Sequence, residues 1–211
     1  MTPKQKYYEN AAATVIKNMG KRQMQGFYCP DRAAAVQKAL ELIPAGSAVG
    51  WGGSVTLAET GLMDALKAGS YTLLDRAAAK TPEAVRANYE KMFNADYFLM
   101  SANAITLDGE LINLDCNGNR VASLCFGPKN VLILAGMNKL VSDVESGVRR
   151  VRDLAAPPNT VRLNRNTPCA VTGRCGDCYS PDCICGQLVI TRRSSDPDRI
   201  KVLLIGEELG Y

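Results

Sequence analysis

The sequence contains no histidine in its 211 residues. This absence excludes Ser-His-Asp and Cys-His arrangements for nucleophilic catalysis, and it excludes metal sites that use histidine ligands. Any acid–base chemistry must therefore use Asp, Glu, Lys, Tyr or Cys side chains. Any metal site must be built from thiolates and oxygens.

Aromatic residues and long apolar runs are also scarce. Aromatics make up 6% of the chain and include one Trp, so the sequence offers no stacking platform for nucleic acid. It has no apolar run of the length that a membrane helix needs, and residues 1–6 do not resemble a secretory signal. We therefore expect a cytoplasmic protein that binds neither nucleic acid nor membrane.

Nucleotide-binding motifs are missing as well, since no P-loop and no correctly spaced dinucleotide fingerprint is found. No nucleotide cofactor is therefore expected. Strand and helix patterns nevertheless alternate along the chain, which indicates βαβ units and a mainly parallel sheet flanked by helices. We predict one α/β domain over 1–211, with a cysteine-rich loop at 159–186 and a closing β-hairpin formed by 187–193 and 199–205.

The most informative single stretch is 48–61, which predicts a strand, a glycine turn and a helix. Gly52 and Gly53 permit a close approach of the backbone to a ligand, and the following helix would favour an anion at its N-terminus. Ser54 places a hydroxyl at the same turn. Glu59 has two interpretations: it is an acid–base candidate, but its spacing from Thr56 predicts a capping box.

A cluster of cysteines is the second informative feature. Five of the eight cysteines lie close together near the C-terminal end of the sequence, at positions 169, 175, 178, 183 and 185. Cys175 and Cys178 have the two-residue spacing that presents two sulfurs to one metal. With Cys169 and either Cys185 or Cys183, they would supply four thiolates for zinc or an iron–sulfur cluster. A redox-active thiol pair is the alternative.

Several motifs together resemble the LUD domain of lactate-utilisation proteins, in a subgroup that carries a C-terminal cysteine-rich loop. The motifs are Gly50-Trp51-Gly52-Gly53-Ser54, Asn94-Ala95-Asp96-Tyr97, the Asp108-Gly109 turn within 104–115, Gly127-Pro128-Lys129, Asn138-Lys139 and Thr167-Pro168-Cys169. The resemblance implies a fold like that of the sugar-phosphate isomerases and CoA transferases, with a site at the strand ends.

The resemblance also implies a function and a set of site residues. Some members act in oxidising L-lactate to pyruvate together with iron–sulfur partner subunits. The implied pocket would bind a small anionic metabolite and would be lined by Gly52, Gly53, Ser54, Asn103, Thr106, Asp108 and Lys139.

Three functional hypotheses follow. The first is a redox-associated protein that binds a lactate-like anion and holds a metal or iron–sulfur centre at Cys169, Cys175, Cys178 and Cys185, with Cys183 as the alternative ligand. The second is an isomerase- or CoA-transferase-like enzyme with a structural zinc, in which Glu59 or Asp108 would be the catalytic carboxylate. The third is a non-catalytic binding or regulatory module. A homo-oligomer is compatible with each hypothesis.

Overall fold

The computed structural model describes residues 1–75, 77 and 79–211. Its centre is a six-stranded parallel sheet with the strand order β1-β10-β7-β4-β2-β3, and a second sheet has the order β8-β5-β6-β9. The strands are β1 (Gln25–Cys29), β2 (Ala48–Trp51), β3 (Thr72–Leu74), β4 (Tyr97–Met100), β5 (Ala104–Thr106), β6 (Leu111–Asp115), β7 (Asn130–Gly136), β8 (Leu140–Val141), β9 (Gln187–Thr191) and β10 (Ile200–Ile205). The prediction of an α/β fold with a mainly parallel sheet is therefore confirmed.

The helices begin where the sequence offers capping side chains. Thr2, Asp31 and Thr81 each accept a backbone N–H bond at the start of a helix, as N-cap residues do. The α-helices are α1 (Pro3–Lys21), α2 (Arg32–Leu42), α3 (Val55–Thr60), α4 (Leu62–Ala68), α5 (Pro82–Phe93), α6 (Asn119–Cys125), α7 (Val144–Arg150), α8 (Ala156–Arg162) and α9 (Pro168–Thr172). None of the helices in the described part of the chain combines the length and the apolar character that crossing a bilayer requires.

The central sheet is buried on both faces because its strands carry apolar side chains at successive positions. In β7, Val131 and Ile133 pack into the core on the side of α1, whereas Leu132 and Leu134 pack into the core on the side of α2, α3 and α4. All four side chains are fully buried. This two-sided burial fixes the strand ends from which the candidate site is built.

The second sheet contains the predicted hairpin at Asp108-Gly109. Strands β5 and β6 pair antiparallel, and Gly109 has a φ of +86° that a turn of this kind requires. Gly109 also lies against α1, where an added Cβ would come within 2.9 Å of the Met19 nitrogen. The hairpin thereby connects the second sheet to α1.

The predicted closing hairpin is wrong. The strand β9 pairs antiparallel with β6 at the edge of the second sheet, while β10 lies between β1 and β7 in the central sheet. Their burial explains the difference, since β10 is buried at every position whereas Gln187, Leu188 and Ile190 of β9 are exposed. A mostly apolar run that is buried at every position is typical of a central parallel strand.

Two helical segments have local irregularities. The segment that follows the glycine turn divides into α3 and α4 at Gly61, whose φ of +77° is left-handed. The segment from α7 to α8 passes through a π-helical turn at Val151–Ala155 and includes Pro157 and Pro158 before it ends at Arg162. Both prolines are tolerated because they lie in the first turn of α8, where proline does not remove a needed hydrogen bond.

Candidate functional site

A polar pocket of about 320 Å³ lies at the carboxyl ends of β2, β4 and β7. Ligands of parallel α/β sheets bind at this edge because the strand ends and the loops that follow them converge there. The polar residues that line the pocket are Gly53, Ser54, Thr56, Ser101, Asn103, Asp115, Asn117, Asn119, Arg120, Lys139, Asn159, Arg162, Arg165 and Tyr211.

Lys139 contributes a buried amine to this pocket. It lies in a 3₁₀ turn, Met137–Lys139, directly after β7, and the residue is only 4% exposed. Its Nζ donates hydrogen bonds to Thr56 Oγ1 at 2.8 Å and to Ser101 Oγ at 2.9 Å. The amine therefore bridges the helix that follows β2 and the loop that follows β4.

The surroundings of Lys139 disfavour its positive charge. Burial, together with the positive charges of Arg150 and Arg120, lowers the pKa of Lys139 to about 7, and Glu59 opposes this shift. Both the ammonium and the free amine are therefore populated near neutral pH. A lysine in this state can bind an anion, transfer a proton or act as a nucleophile.

Arg120, from α6, gives the pocket a second buried positive charge. Its guanidinium donates to the backbone oxygens of Ser101 and Leu114 at 3.1 and 2.8 Å, and to Asn103 Oδ1 at 3.0 Å. Burial lowers the pKa of Arg120, and Asp115, 3.8 Å from Nε, opposes the shift. Arg120 thus fixes the pocket wall through hydrogen bonds and acts on a ligand mainly through its charge.

Arg150, from α7, holds two segments of the pocket together through hydrogen bonds. Its side chain donates to the backbone oxygens of Asn138 at 3.1 Å and Asn103 at 2.7 Å, so it ties together the segments that follow β7 and β4. The residue is buried, and burial lowers the pKa of its guanidinium. Arg150 therefore positions two lining segments and contributes charge.

The lining carries a net excess of positive charge. Among the described lining residues, the cationic side chains are Arg120, Lys139, Arg162 and Arg165, and the acidic side chain is Asp115. Oδ2 of Asp115 accepts the backbone N–H groups of Arg120 and Val121, both at 3.1 Å, which occupies this oxygen at the start of α6. The pocket is therefore suited to a small anion.

A strap formed by residues 207–211 passes over one side of the pocket. Asn138 holds it at two points, since its Oδ1 accepts from the Leu209 nitrogen at 3.1 Å and its Nδ2 donates to the Gly210 oxygen at 3.1 Å. Gly210 has a φ of +61°, and an added Cβ would lie 2.5 Å from Thr56 Oγ1. Glycine is therefore needed where the strap crosses Thr56.

Glu59 forms a further hydrogen bond with the strap, in addition to those of Asn138. Its Oε2 accepts a hydrogen bond from the Gly210 nitrogen at 2.7 Å. The predicted capping box is wrong, because the N-cap residue of α3 is Ser54, whose Oγ accepts from the Leu57 nitrogen at 3.2 Å. Thr56 lies inside the helix and donates instead to the Leu209 oxygen at 3.3 Å.

A second cavity, of about 550 Å³, contains the cysteine cluster. Its lining includes Cys169, Cys175, Cys178, Cys183 and Cys185. Burial, together with the neighbouring thiols of Cys183, Cys175 and Cys169, raises the pKa of Cys185 to about 12. The chemical type and number of these donors fit a thiolate-ligated centre, which would supply the positive charge that several thiolates need. In the described part of the chain, however, no three Cys, Asp or Glu side chains already form an ion-binding group.

The two cavities are adjacent. Leu114 and Ile184 line both of them, so one apolar wall separates the cysteines from the polar pocket. Cys116 lies on the polar side of this wall and its Sγ is 3.7 Å from the Cys183 oxygen. A centre held by the cysteine loop would therefore be a close neighbour of a ligand in the pocket.

Comparison with known proteins identifies the family. The family model described as the LUD domain matches residues 12–205. This chain belongs to the LUD-domain family. A DUF162 family protein from Deinococcus radiodurans has a similar solved structure, with a TM-score of 0.51 at 14% identity over 95% of this chain and 98% of that chain. At this identity the likeness shows the fold alone, and a comparison with curated proteins gives no match.

The pocket of this LUD domain brings together part of the predicted set of ligand-binding residues. Gly53, Ser54, Asn103 and Lys139 line it. Gly52 lies behind the residues that line the pocket. Its N–H donates to the Leu99 oxygen at 3.0 Å, and an added Cβ would lie 3.2 Å from Cδ of Arg120.

Thr106 and Asp108 do not line the pocket. Thr106 Oγ1 donates to Glu110 Oε2 at 2.9 Å inside the hairpin, and Asp108 is exposed at the turn. The prediction that they bind the ligand is not supported, because the hairpin directs them away from the strand ends. Asp108 lies in the turn of the hairpin, and neither Asp108 nor Glu59 is in the described lining, so the catalytic role of either carboxylate stays a prediction.

Other residues of the pocket carried weak sequence signals. Thr56 has the spacing of a capping box but also places a hydroxyl at the glycine turn, Ser101 is an ordinary residue after a strand, and Cys116 lies outside the cysteine cluster of the sequence. In the structure Cys29 is buried, Cys116 is half-buried in the pocket and Cys125 is exposed. The signal that could have found Ser101 is its position directly after β4, at the same sheet edge as the glycine turn.

Two variants of Glu59 test its contact with the strap. We expect Glu59→Ala to lower the free energy of unfolding by about 1 kcal/mol and to speed hydrogen exchange in 207–211, because it removes the acceptor for the Gly210 N–H. Glu59→Gln keeps an acceptor oxygen, so exchange should stay near that of the wild type. Urea unfolding and mass-spectrometric hydrogen exchange measure both effects. Equal exchange in all three proteins would contradict the fastening role.

Proposed function

We propose that this LUD domain binds a short hydroxy or oxo carboxylate, of the lactate and pyruvate type, in the polar pocket. The observation that carries the proposal is the buried amine of Lys139, which lies in a pocket whose lining has more cations than carboxylates. A buried charge is costly unless it is paired, so an anion in the pocket would stabilise the ammonium form of Lys139.

The size and the polar groups of the pocket support a small ligand. A volume of about 320 Å³ is at the lower end of the range for ligand pockets. The side chains of Ser54, Asn103 and Asn159 lie in the lining and offer hydrogen bonds to a hydroxyl or a carboxylate. A lactate-sized acid would use the positive charge for its carboxylate and these polar groups for its hydroxyl.

We further propose that the cysteine loop holds a metal or iron–sulfur centre. Cys169, Cys175, Cys178 and Cys185 would be the ligands, with Cys183 as the alternative, because all five line one cavity. When bound, an iron–sulfur cluster supplies one-electron transfer, whereas zinc would stabilise the loop. The shared wall of Leu114 and Ile184 favours a redox-associated role, with an iron–sulfur partner subunit as the electron acceptor, in the reducing environment of the cytoplasm.

Calorimetric titration with L-lactate tests the pocket. We expect binding to the wild type that weakens between pH 6 and pH 8, because the pKa of Lys139 is about 7 and only its protonated form attracts the carboxylate. Lys139→Met should weaken binding at pH 6 at least about tenfold, which corresponds to ~1.4 kcal/mol.

The matched control is Lys67→Met, which removes a lysine whose side chain is 62% exposed on α4. It should bind lactate as the wild type does, which would show that net charge alone is not responsible. An unchanged dissociation constant in Lys139→Met would remove Lys139 from the binding site. The absence of lactate binding to the wild type would refute the proposed ligand class.

Metal and acid-labile sulfide analysis of anaerobically purified protein tests the cysteine centre. We expect near-stoichiometric iron with sulfide, or zinc, in the wild type, and its loss in the double variant C175S/C178S, because two of the four ligands are gone. The control Cys125→Ser removes an exposed cysteine that is not in the described lining of the cavity and should retain the metal. Equal metal content in both variants would contradict the assignment.

A further inference from the structure

We propose that Lys139 forms an imine with the carbonyl carbon of a short 2-oxo acid in the pocket. This inference rests on the proposed function, because it uses the same pocket and the same class of ligand. It adds a covalent step to simple anion binding. The directions of the protons of the amine and of its two neighbouring hydroxyls determine whether the lone pair of Nζ is available to the ligand.

Both hydroxyls that contact Lys139 already donate elsewhere. Thr56 Oγ1 donates to the Leu209 oxygen at 3.3 Å, and Ser101 Oγ donates to the Ala102 oxygen at 3.3 Å. Each hydroxyl has one hydrogen, so toward Lys139 both oxygens can only accept. The two bonds at 2.8 and 2.9 Å therefore each use a hydrogen of the amine.

This arrangement matches a neutral amine. A neutral lysine has two N–H bonds and one lone pair, and the two hydroxyls take both hydrogens, so the lone pair is left for another partner. The burial of Lys139 and the positive charges of Arg150 and Arg120 favour this neutral form, with a pKa of about 7. Desolvation beside other cations is a recognised way to activate a lysine nucleophile.

The proposed step balances without an oxidant or reductant. The lone pair of Nζ attacks the carbonyl carbon to form a C–N bond, the electron pair of the C=O bond moves to the oxygen, and one of the two Nζ protons transfers to that oxygen to give a carbinolamine. The second Nζ proton then transfers to the hydroxyl group, the C–O bond breaks, and water leaves as the nitrogen lone pair forms the C=N bond. The carboxylate of the 2-oxo acid would meanwhile face the cationic lining of Arg120, Arg162 and Arg165.

Lys201 provides an internal comparison. It is also buried, and burial lowers its pKa, but its Nζ donates to Asn130 Oδ1 at 2.8 Å and to the Asp198 oxygen, and it is not among the described residues that line the pocket. A lysine that is merely buried should not react with a 2-oxo acid. Only a lysine in the pocket should do so.

Reductive trapping tests the proposal. The intact protein is incubated with pyruvate and sodium cyanoborohydride, and the product is analysed by intact mass and peptide mapping. We expect an addition equal to the mass of pyruvic acid less one oxygen atom, located at Lys139 and at least about tenfold above that at the exposed Lys67. Lys139→Arg should abolish this addition, whereas Lys201→Arg should retain it.

L-Lactate separates the failure of the inference from the failure of the proposed function. It has no carbonyl group that can react, so it should compete with pyruvate and lower the label at Lys139. If lactate binds but Lys139 acquires no label, the imine proposal is wrong and the anion pocket stands. If label is spread over exposed lysines, the imine proposal is likewise wrong. If neither acid binds, both proposals fail.

Discussion

The candidate site depends on one interaction, the burial of the Lys139 amine between Thr56 and Ser101. These three residues follow three different strands, β7, β2 and β4, so the amine joins the ends of neighbouring strands at one sheet edge. The strap at 207–211 adds a fourth segment, since Thr56 also donates to Leu209. Burial of the amine therefore requires the central sheet, the glycine turn and the strap to be in place together.

The burial of Lys139 also determines the protonation state of its amine, and with it the chemistry that the amine can perform. An amine that is almost fully buried and subject to the positive charges of Arg120 and Arg150 has little preference for its charged form near neutral pH. Such a group responds to a ligand, because a bound carboxylate favours the ammonium and a carbonyl reacts with the free amine. The adjacent cysteine cavity, behind Leu114 and Ile184, would hold the proposed metal or iron–sulfur centre next to this polar pocket.

Much of the fold, but less of the site, follows from the sequence. The apolar run of β7, the N-cap at Asp31 and the Asp108-Gly109 turn are local signals, and each element forms where they predict it. The position of β10 between β1 and β7 depends on long-range pairing, which no local pattern encodes. Ser54 could be predicted as a site residue from the glycine turn and Lys139 from the family resemblance, whereas the contact of Glu59 with Gly210, across most of the chain, could not.

The central claim is tested most directly by the protonation of Lys139 itself. Carbon-13 NMR of protein labelled at lysine Cε, with the resonance assigned by its loss in Lys139→Arg, reports this titration. The account predicts a midpoint near pH 7 for Lys139, since burial and Arg150 and Arg120 lower its pKa to about 7. A midpoint close to the ordinary lysine value of about 10.4 would contradict it, because the amine would then be solvated and outside the environment described.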